Sequence, residues 1–192
     1  MNDWKHRLIH VLEPLLRLPD PRVKLGAYDD LPYAVFHYPP EAEFELRKEV
    51  GLLQTRLEHA GKRITTISLA ECLKTSLGAE QMTTAALASV EESSGLDQTT
   101  ATLHSVLEEY QPLTEIVAQQ LPHPGDPMRD IFFVLRAGSL FPFYRTSALL
   151  EQLMGRTSSP GVLFYPGTFD GVTGLSFMGI HTHEPNYRPK IF

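Results

Sequence analysis

The chain has 192 residues and a formal net charge of −6, with 42% hydrophobic and 21% charged residues. A chain of this length and composition can bury its own core, which argues against wholesale disorder and favours one α/β domain over residues 1–192. The only cysteine, Cys72, excludes an internal disulfide and favours a reducing, cytoplasmic location. No hydrophobic run approaches the roughly 18 residues of a membrane helix, and charges interrupt the first 17 residues, so no signal peptide is predicted.

Charge is unevenly distributed along the sequence. Residues 75–128 contain eight acidic residues and no Lys or Arg, whereas all 17 basic residues accompany the remaining 15 of the 23 acidic ones. A segment without cations cannot neutralise phosphates, which excludes a nucleic-acid surface there. Two interpretations stay open for this acidic segment: a solvated helical face, or a docking face for a basic partner.

The first part of the chain alternates helix and strand patterns. Hydrophobic spacing predicts an amphipathic helix over 4–18, and an apolar run between prolines predicts a strand at 33–38. A second helical pattern runs over 46–57 and ends near Gly61, a residue suited to a helix C-terminus. The β-branched run 64–69 predicts the next strand. This strand–helix–strand unit predicts a parallel pair of strands.

The second part continues the alternation after a long helical middle. A helix over 69–77 leads into residues 79–121, which we predict to be wholly helical, with a new helix beginning at Pro112. Further predicted elements are a strand at 131–135, a helix at 144–154, and strands at 162–165 and 175–180. Together they predict an α/β fold: a mostly parallel central sheet flanked by helices, Rossmann-like without a nucleotide fingerprint, with a helical insertion at about 79–121.

The loop after strand 131–135 carries Arg136 and Arg145. In doubly wound sheets ligands bind beyond the carboxyl ends of the strands, so these two arginines could hold an anion there. The loop lacks the repeated glycines of a phosphate cradle, and neither G-x-G-x-x-G nor G-x-x-x-x-G-K-[ST] occurs in the chain. The alternative is a packed loop in which the arginines pair with Asp or Glu side chains.

Other candidate sites are incomplete. His181 and His183 have a spacing compatible with zinc, but no pattern supplies the further ligands. Cys72 lies in an apolar helical pattern and is interpreted as a buried side chain rather than a nucleophile. Asp170 and Gly171 form a typical tight turn, and this lone carboxylate lacks the partner that acid–base chemistry requires. We therefore predict no catalytic residue, no cofactor and no metal.

Aromatic side chains are numerous enough to supply anchors for a protein interface as well as core residues. We expect most of them to be buried in the core, and the group comprises Tyr33, Phe36, Tyr38, Phe141, Phe143, Tyr144, Tyr165, Phe169 and Tyr187.

Several sequence blocks have a family resemblance. Near the C-terminus these are FYPGTFDG at 164–171, GLSF at 174–177 and NYRPKIF at 186–192. A strand followed by G-x-L-F-P-F-Y-R at 134–145 precedes them, and weaker similarity extends to 31–38 and to Asp20-Pro21-Arg22. In this order the blocks resemble the BrxB family of BREX phage-defence systems. The resemblance covers both ends of the chain and does not extend to the acidic middle.

The resemblance implies a role in assembly. BREX systems combine a DNA methyltransferase, an alkaline-phosphatase-like protein called PglZ, a large ATPase and small accessory proteins. The family offers no catalytic residues to carry over, so it implies a non-catalytic scaffold that binds other BREX proteins, with PglZ as the expected partner. Direct DNA binding is not expected, and self-association is left open. The residues expected at the partner interface are Arg136, Phe141, Phe143, Arg145, Phe169, Asp170, Tyr187 and Arg188.

A second function from a different class is also consistent with the sequence. The alternative is a nucleotide- or nucleic-acid-binding module that uses the Arg136–Arg145 loop, because a sheet of this kind offers a pocket and BREX acts on DNA.

Overall fold

The computed structural model describes residues 3–26, 32–169, 174–178 and 189–192. It contains a mostly parallel six-stranded sheet flanked by helices, which confirms the predicted α/β fold. The strand order is β2-β3-β4-β1-β6, neighbours in this order are parallel, and β5 pairs antiparallel with the end of β4. The strands are β1 Tyr33–Tyr38, β2 Arg63–Ser68, β3 Asp130–Leu135, β4 Gly161–Phe169, β5 Leu175–Phe177 and β6 Lys190–Ile191.

The helices follow the order of the sequence prediction, with one additional short helix at Arg22–Leu25. They are α1 Asp3–Arg7, which continues through a π-helical turn at Leu8–Leu12 into α2 Glu13–Leu16, then α3 Arg22–Leu25, α4 Glu43–His59, α5 Leu69–Ala79, α6 Thr84–Ser105 with a π-helical turn at Val106–Tyr110, α7 Leu113–Ala118 and α8 Thr146–Gln152. Short 3₁₀ turns occupy Pro40–Ala42 and Ala137–Leu140. Among the described residues, no helix combines the length and apolarity that crossing a membrane would require.

The sheet is buried on both faces, as alternate residues of its strands demonstrate. In β3, Ile131 and Phe133 face a core formed with α1, α2 and α4, whereas Phe132 and Val134 face a core formed with α5, α7 and α8. Covering helices on both faces explain why β3 is a continuous run of large hydrophobic residues rather than an alternating pattern.

The predicted pairing of the first two strands is wrong. Both strands run parallel, but β3 and β4 lie between β1 and β2, so α4 crosses two strands. Side-chain character explains the arrangement: β1 is buried except for the half-buried His37, whereas Arg63 and Thr66 of β2 are exposed. A polar strand suits the edge of a sheet and an apolar strand suits its centre.

The helical middle enters the fold between β2 and β3, as predicted, and α7 begins directly after Pro112. It is not wholly helical, because the chain leaves the helix between α5 and α6 and again before α7. Within α6, Gly95 has φ +83°, which kinks the helix. The positive φ at this position requires a residue without a Cβ atom.

Other boundaries also differ from the prediction: the strand predicted at 162–165 is the longer β4, Gly161–Phe169. The helix predicted at 144–154 is α8, Thr146–Gln152, and the described part of the strand predicted at 175–180 is the three-residue β5. Strand β6 was not predicted, because two residues are too few for a periodic pattern. Its pairing with β1 continues into Phe192, whose N–H donates to the carbonyl of Val35 over 2.8 Å.

Candidate functional site

The chain leaves the carboxyl ends of two adjacent strands in different directions. After β1 it passes through the turn Pro40–Ala42 into α4, which packs on one face of the sheet. After β4 it reaches β5, whose residues Leu175 and Phe177 belong to the core on the opposite face. In open α/β sheets such a point forms a crevice where ligands bind. The carboxyl edge between β1 and β4 is therefore the first candidate site.

A cavity of about 330 Å³ occupies this crevice. It contains two cationic residues, Arg136 from the end of β3 and Arg47 from α4. The Glu43 carboxylate in its wall already accepts a hydrogen bond from the Tyr38 hydroxyl. Its complete lining is Pro40, Glu43, Phe44, Arg47, Arg136, Gly138, Ser139, Pro166 and Met178.

Backbone strain is concentrated in the wall of this cavity. Arg136 has φ +61° and Met178 has φ +54°, and both line the cavity. A residue with a Cβ atom loses about 1–2 kcal/mol in this conformation. The Arg136 carbonyl accepts hydrogen bonds from the Ser139 N–H at 3.1 Å and the Ser139 hydroxyl at 2.8 Å, which hold the turn in place. Strained residues of this kind tend to lie at functional sites.

A second cavity, of about 770 Å³, continues from the first along α4 to the edge strand β2. The two cavities share Phe44 and Arg47 and thus form one trough, which we call the α4 groove. The second cavity is lined by Phe44, Arg47, Lys48, Val50, Gly51, Gln54, Thr66 and Leu135.

The sequence interpretation did not single out Phe44 or Arg47. A signal was present, because Leu46, Val50, Leu53 and Leu57 define the buried stripe of α4 and Phe44 falls outside it. An aromatic residue off the stripe of an amphipathic helix is exposed, and Phe44 is 77% exposed.

Arg145 lies in a different cavity from Arg136. This cavity, which we call the α6 groove, has a volume of about 620 Å³ and shares no lining residue with the crevice at β1 and β4. The two arginines therefore do not line one cavity, as a shared anion site would require. The 3₁₀ turn Ala137–Leu140 and the turn after it carry the chain away from the sheet edge before Arg145. The Arg136 guanidinium approaches the Glu71 carboxylate at 3.5 Å, which matches the predicted alternative of pairing.

Aromatic and acidic side chains face each other across the α6 groove. One wall belongs to α6 and the turn after it, where His104 Nε2 lies 3.5 Å from the Glu108 carboxylate. The other wall is the segment before α8, which includes Phe143 and the buried Tyr144. The complete lining is Asp97, Thr100, Ala101, His104, Ser105, Glu108, Pro142, Phe143, Tyr144, Arg145 and Ala148.

Most of the nine aromatic residues considered in the sequence are core residues, as expected. The buried members are Tyr33, Phe36, Tyr38, Tyr144 and Tyr165. Phe141 is half-buried, with its ring 5.6 Å from that of Phe177, and Phe143 is also half-buried. Phe169 remains 38% exposed at the end of β4. The predicted interface residues Asp170, Tyr187 and Arg188, and the histidines His181 and His183, lie outside the described residues.

His37 is the titratable group at the carboxyl end of β1. Burial and the nearby Arg7 cation lower the pKa of its imidazole to about 4, although a hydrogen bond with the backbone of Gly167 opposes the shift. Its ring lies 6.1 Å from that of Phe169. His37 is therefore neutral near pH 7 and contributes no positive charge to this edge of the sheet.

The other candidate groups lie in environments typical of residues with a structural role. Cys72 is 1% exposed, burial raises the pKa of its thiol, and the Gln120 amide donates a hydrogen bond to its sulfur over 3.2 Å. This agrees with the prediction of a buried residue. Within the described ranges, no three His, Cys, Asp or Glu side chains come together as a metal site.

Comparison with known proteins identifies the family. A family model described as BREX protein BrxB matches residues 65–191, which is more than half of the chain. The match includes the C-terminal blocks and the acidic middle, whereas the weaker similarities in the first 64 residues lie outside it. No curated protein and no solved structure matches the chain. The chain belongs to the BrxB family and is thus a component of a BREX phage-defence system.

Proposed function

We propose that this BREX component is a non-catalytic scaffold, formed as one α/β domain over residues 1–192, that binds other BREX proteins and above all PglZ. The observation that carries the proposal is the pair of open grooves, the α4 groove and the α6 groove. Exposed or half-buried aromatic side chains stand beside arginines in both grooves: Phe44 and Arg47 in one, Phe143 and Arg145 in the other. Aromatic and arginine residues provide most of the binding energy in protein interfaces.

The chemistry of the described residues favours binding over catalysis. The buried thiol of Cys72 has an amide neighbour where a nucleophile would need a base. Arg136 is paired with Glu71, and Glu43 with Tyr38, so the charged groups of the crevice are partly satisfied within the chain. Such groups can recognise a partner surface without carrying out a reaction.

A pull-down tests the proposal directly. The tagged chain is isolated from cells that carry the complete BREX operon, and bound proteins are identified by mass spectrometry. We expect PglZ to be recovered in a stoichiometric complex. Recovery should fall at least about tenfold when Arg136, Phe143 and Arg145 are all replaced by Ala, since interface anchors contribute more than about 1.4 kcal/mol. The matched control is Gln119→Ala, an exposed residue of neither groove. Recovery of the chain alone would contradict the proposal.

The position of Arg136 at the crevice keeps the nucleotide- or nucleic-acid-binding alternative testable. With Arg145 in another cavity, this function would depend on Arg136 and Arg47. Filter binding of ATP and of short DNA at low salt, with and without Arg136→Ala, distinguishes the alternatives. Binding that disappears in the variant would favour the nucleotide module, and the absence of binding in both proteins would eliminate it.

A further inference from the structure

We infer that the α4 groove binds an acidic segment of a partner protein, in which an aromatic or aliphatic side chain accompanies the carboxylates. The inference rests on the proposed function and deepens it, because it names the surface and the chemistry of one contact. Three residues that line this surface, Phe44, Arg47 and Lys48, were not singled out from the sequence.

The apolar part of the groove can receive a large side chain. Phe44 has the highest exposure, 77%, among the large hydrophobic residues described. Val50, Leu135 and Met178 line the same trough, so its wall includes apolar atoms besides those of the Phe44 ring. A concave apolar surface of this kind binds a side chain from another molecule more readily than it stays hydrated.

Gly51 keeps the floor of the groove open. It lies inside α4, where glycine costs about 0.5–1 kcal/mol relative to alanine. A Cβ atom placed at Gly51 would have no neighbour within 4 Å, so neither packing nor backbone conformation requires glycine here. Because Gly51 lines the groove without a side chain, an incoming chain can approach the helix closely there.

The charged residues of the groove determine the sign of the charge that a ligand must carry. Arg47 and Lys48 form no ion pair with any residue in the described ranges, and Arg136 has only the 3.5 Å contact with Glu71. Three cations thus line one trough, two of them without a carboxylate partner from the described part of the chain. A partner with Asp or Glu side chains would supply those carboxylates, and each arginine could bind one in a bidentate manner.

Size and local acids favour a protein segment over a nucleotide or a nucleic acid. The two joined cavities measure about 770 and 330 Å³, and the groove is open along its length. A small ligand would leave most of it empty, whereas a peptide chain could follow it. Glu43 in the wall and Glu71 beside Arg136 would repel a continuous row of phosphates, but they tolerate spaced carboxylates that sit opposite the cations.

The test uses the full chain in cells that carry the complete BREX operon. One variant, Gly51→Trp, fills the groove, and a second, Arg47→Glu combined with Lys48→Glu, reverses its charge. The matched control is Leu52→Trp, which places the same side chain at the next position of α4, where the residue is 55% exposed and outside the groove lining. Thermal unfolding checks that all three variants fold.

We expect both groove variants to lower recovery of the partner BREX protein at least about tenfold, and the Leu52→Trp control to leave it within about twofold of wild type. Replacement of Phe44 by photoreactive p-benzoylphenylalanine should crosslink to a segment of that partner rich in Asp and Glu. Recovery should also weaken as salt rises, because exposed charge pairs are screened.

The outcomes separate this inference from the proposed function. If wild type recovers no BREX protein, the scaffold proposal and the inference both fail. If wild type recovers a partner and the two groove variants recover it equally well, only the inference is overturned. A crosslinked segment without acidic residues, or a crosslink to nucleic acid, would also overturn it.

Discussion

The two longest helices of the chain, α4 and α6, differ in how they are stabilised. Helix α4 has 17 residues and buries Leu46, Val50, Leu53 and Leu57 against the sheet. Helix α6 has 22 residues but buries only Thr99 and Leu103, both after the kink at Gly95. Length alone would rank α6 above α4. Burial against the core reverses that order, because most helical stability in proteins comes from tertiary packing.

The first half of α6 is stabilised little by packing against the core and little by interactions within the helix. Residues 84–94 form 11 residues of helix without a buried side chain, a length that is marginal for an isolated helix in water. Thr83 caps the N-terminus by accepting a hydrogen bond from the Ala86 N–H. Glu91 and Glu92 lie near the C-terminal end of this half, where negative charge opposes the helix dipole. Propensity and one cap therefore hold this segment in place.

Hydrogen exchange should give the largest difference between the two helices. We expect the amides of residues 84–94 to exchange through local opening, with protection factors at least about 10³ lower than those of residues 46–57. The central residues of α4 should exchange only through global unfolding, since their side chains belong to the core. Mass spectrometry of deuterated peptides measures both regions in one sample. Equal protection would mean that another surface covers α6 in solution.

A matched pair of leucine substitutions tests the same difference by stability. Leu53→Ala removes a fully buried side chain of α4 and should lower the free energy of unfolding by about 2–5 kcal/mol. Leu87→Ala, in the half-buried surface of α6, should lower it by less than about 1 kcal/mol. Urea denaturation followed by circular dichroism measures both. The comparison fails if Leu87→Ala costs as much as Leu53→Ala.

The ion pairs that anchor α4 to the first helical segment add a pH-dependent contribution. The buried carboxylate of Glu13 accepts a hydrogen bond from Arg17, at 2.7 Å, and another from Arg56 of α4, at 2.9 Å. Burial raises the pKa of this carboxyl, but the hydrogen bonds from Arg56 and Arg17 outweigh burial and lower it below its ordinary value of 4.5. Glu13→Gln should therefore lower the free energy of unfolding at pH 7 by about 1–3 kcal/mol.

Acid should reduce this difference. Because the pKa of Glu13 is lower in the folded chain than in the unfolded chain, its contribution is complete above about pH 4.5 and is lost as the pH falls through the lowered pKa. The difference in stability between wild type and Glu13→Gln should thus shrink as the pH falls below 4.5. Urea denaturation at pH 7 and pH 3 provides the measurement. A difference that is unchanged at pH 3 would show that packing, and not charge, explains the effect.

The sequence was sufficient for features that depend on local periodicity. The apolar spacing of α4 specifies a helix and its buried side, and the run of large residues in β3 specifies a strand that is buried on both faces. The strand order could not be predicted from the sequence, because the position of β1 beside β4 depends on contacts between residues more than 120 positions apart. The burial of Lys62 also depends on contacts distant in sequence. This residue is 7% exposed, and its ammonium group donates to the carbonyls of Leu18 at 2.5 Å and Met128 at 2.7 Å.

The candidate site was predicted only in part for the same reason. The crevice was expected at the carboxyl end of β3, and Arg136 lies there. The second arginine of the crevice, Arg47, comes from α4, 89 positions earlier in the chain, and no local motif connects the two. The predicted partner, Arg145, is close in sequence but is directed to another cavity by the intervening turns.

A pair of glycine substitutions gives the smallest effect and the sharpest comparison, because the same change should have opposite signs in the two helices. Gly51 in α4 is followed by a regular helix, and a methyl group there meets open space. Gly51→Ala should therefore raise the free energy of unfolding by about 0.5–1 kcal/mol, through helix propensity and a less flexible unfolded chain.

Gly95 in α6 also has open space around its Cβ position, so sterics with neighbouring residues do not distinguish the two glycines. The backbone conformation of Gly95 distinguishes it from Gly51, because φ +83° and ψ +169° belong to a region that residues with a Cβ atom avoid. Gly95→Ala should lower the free energy of unfolding by about 1 kcal/mol, measured in the same urea series as Gly51→Ala. If both substitutions stabilise the chain equally, α6 runs through position 95 as a regular helix in solution, and the α6 groove, which begins at Asp97, would change its shape.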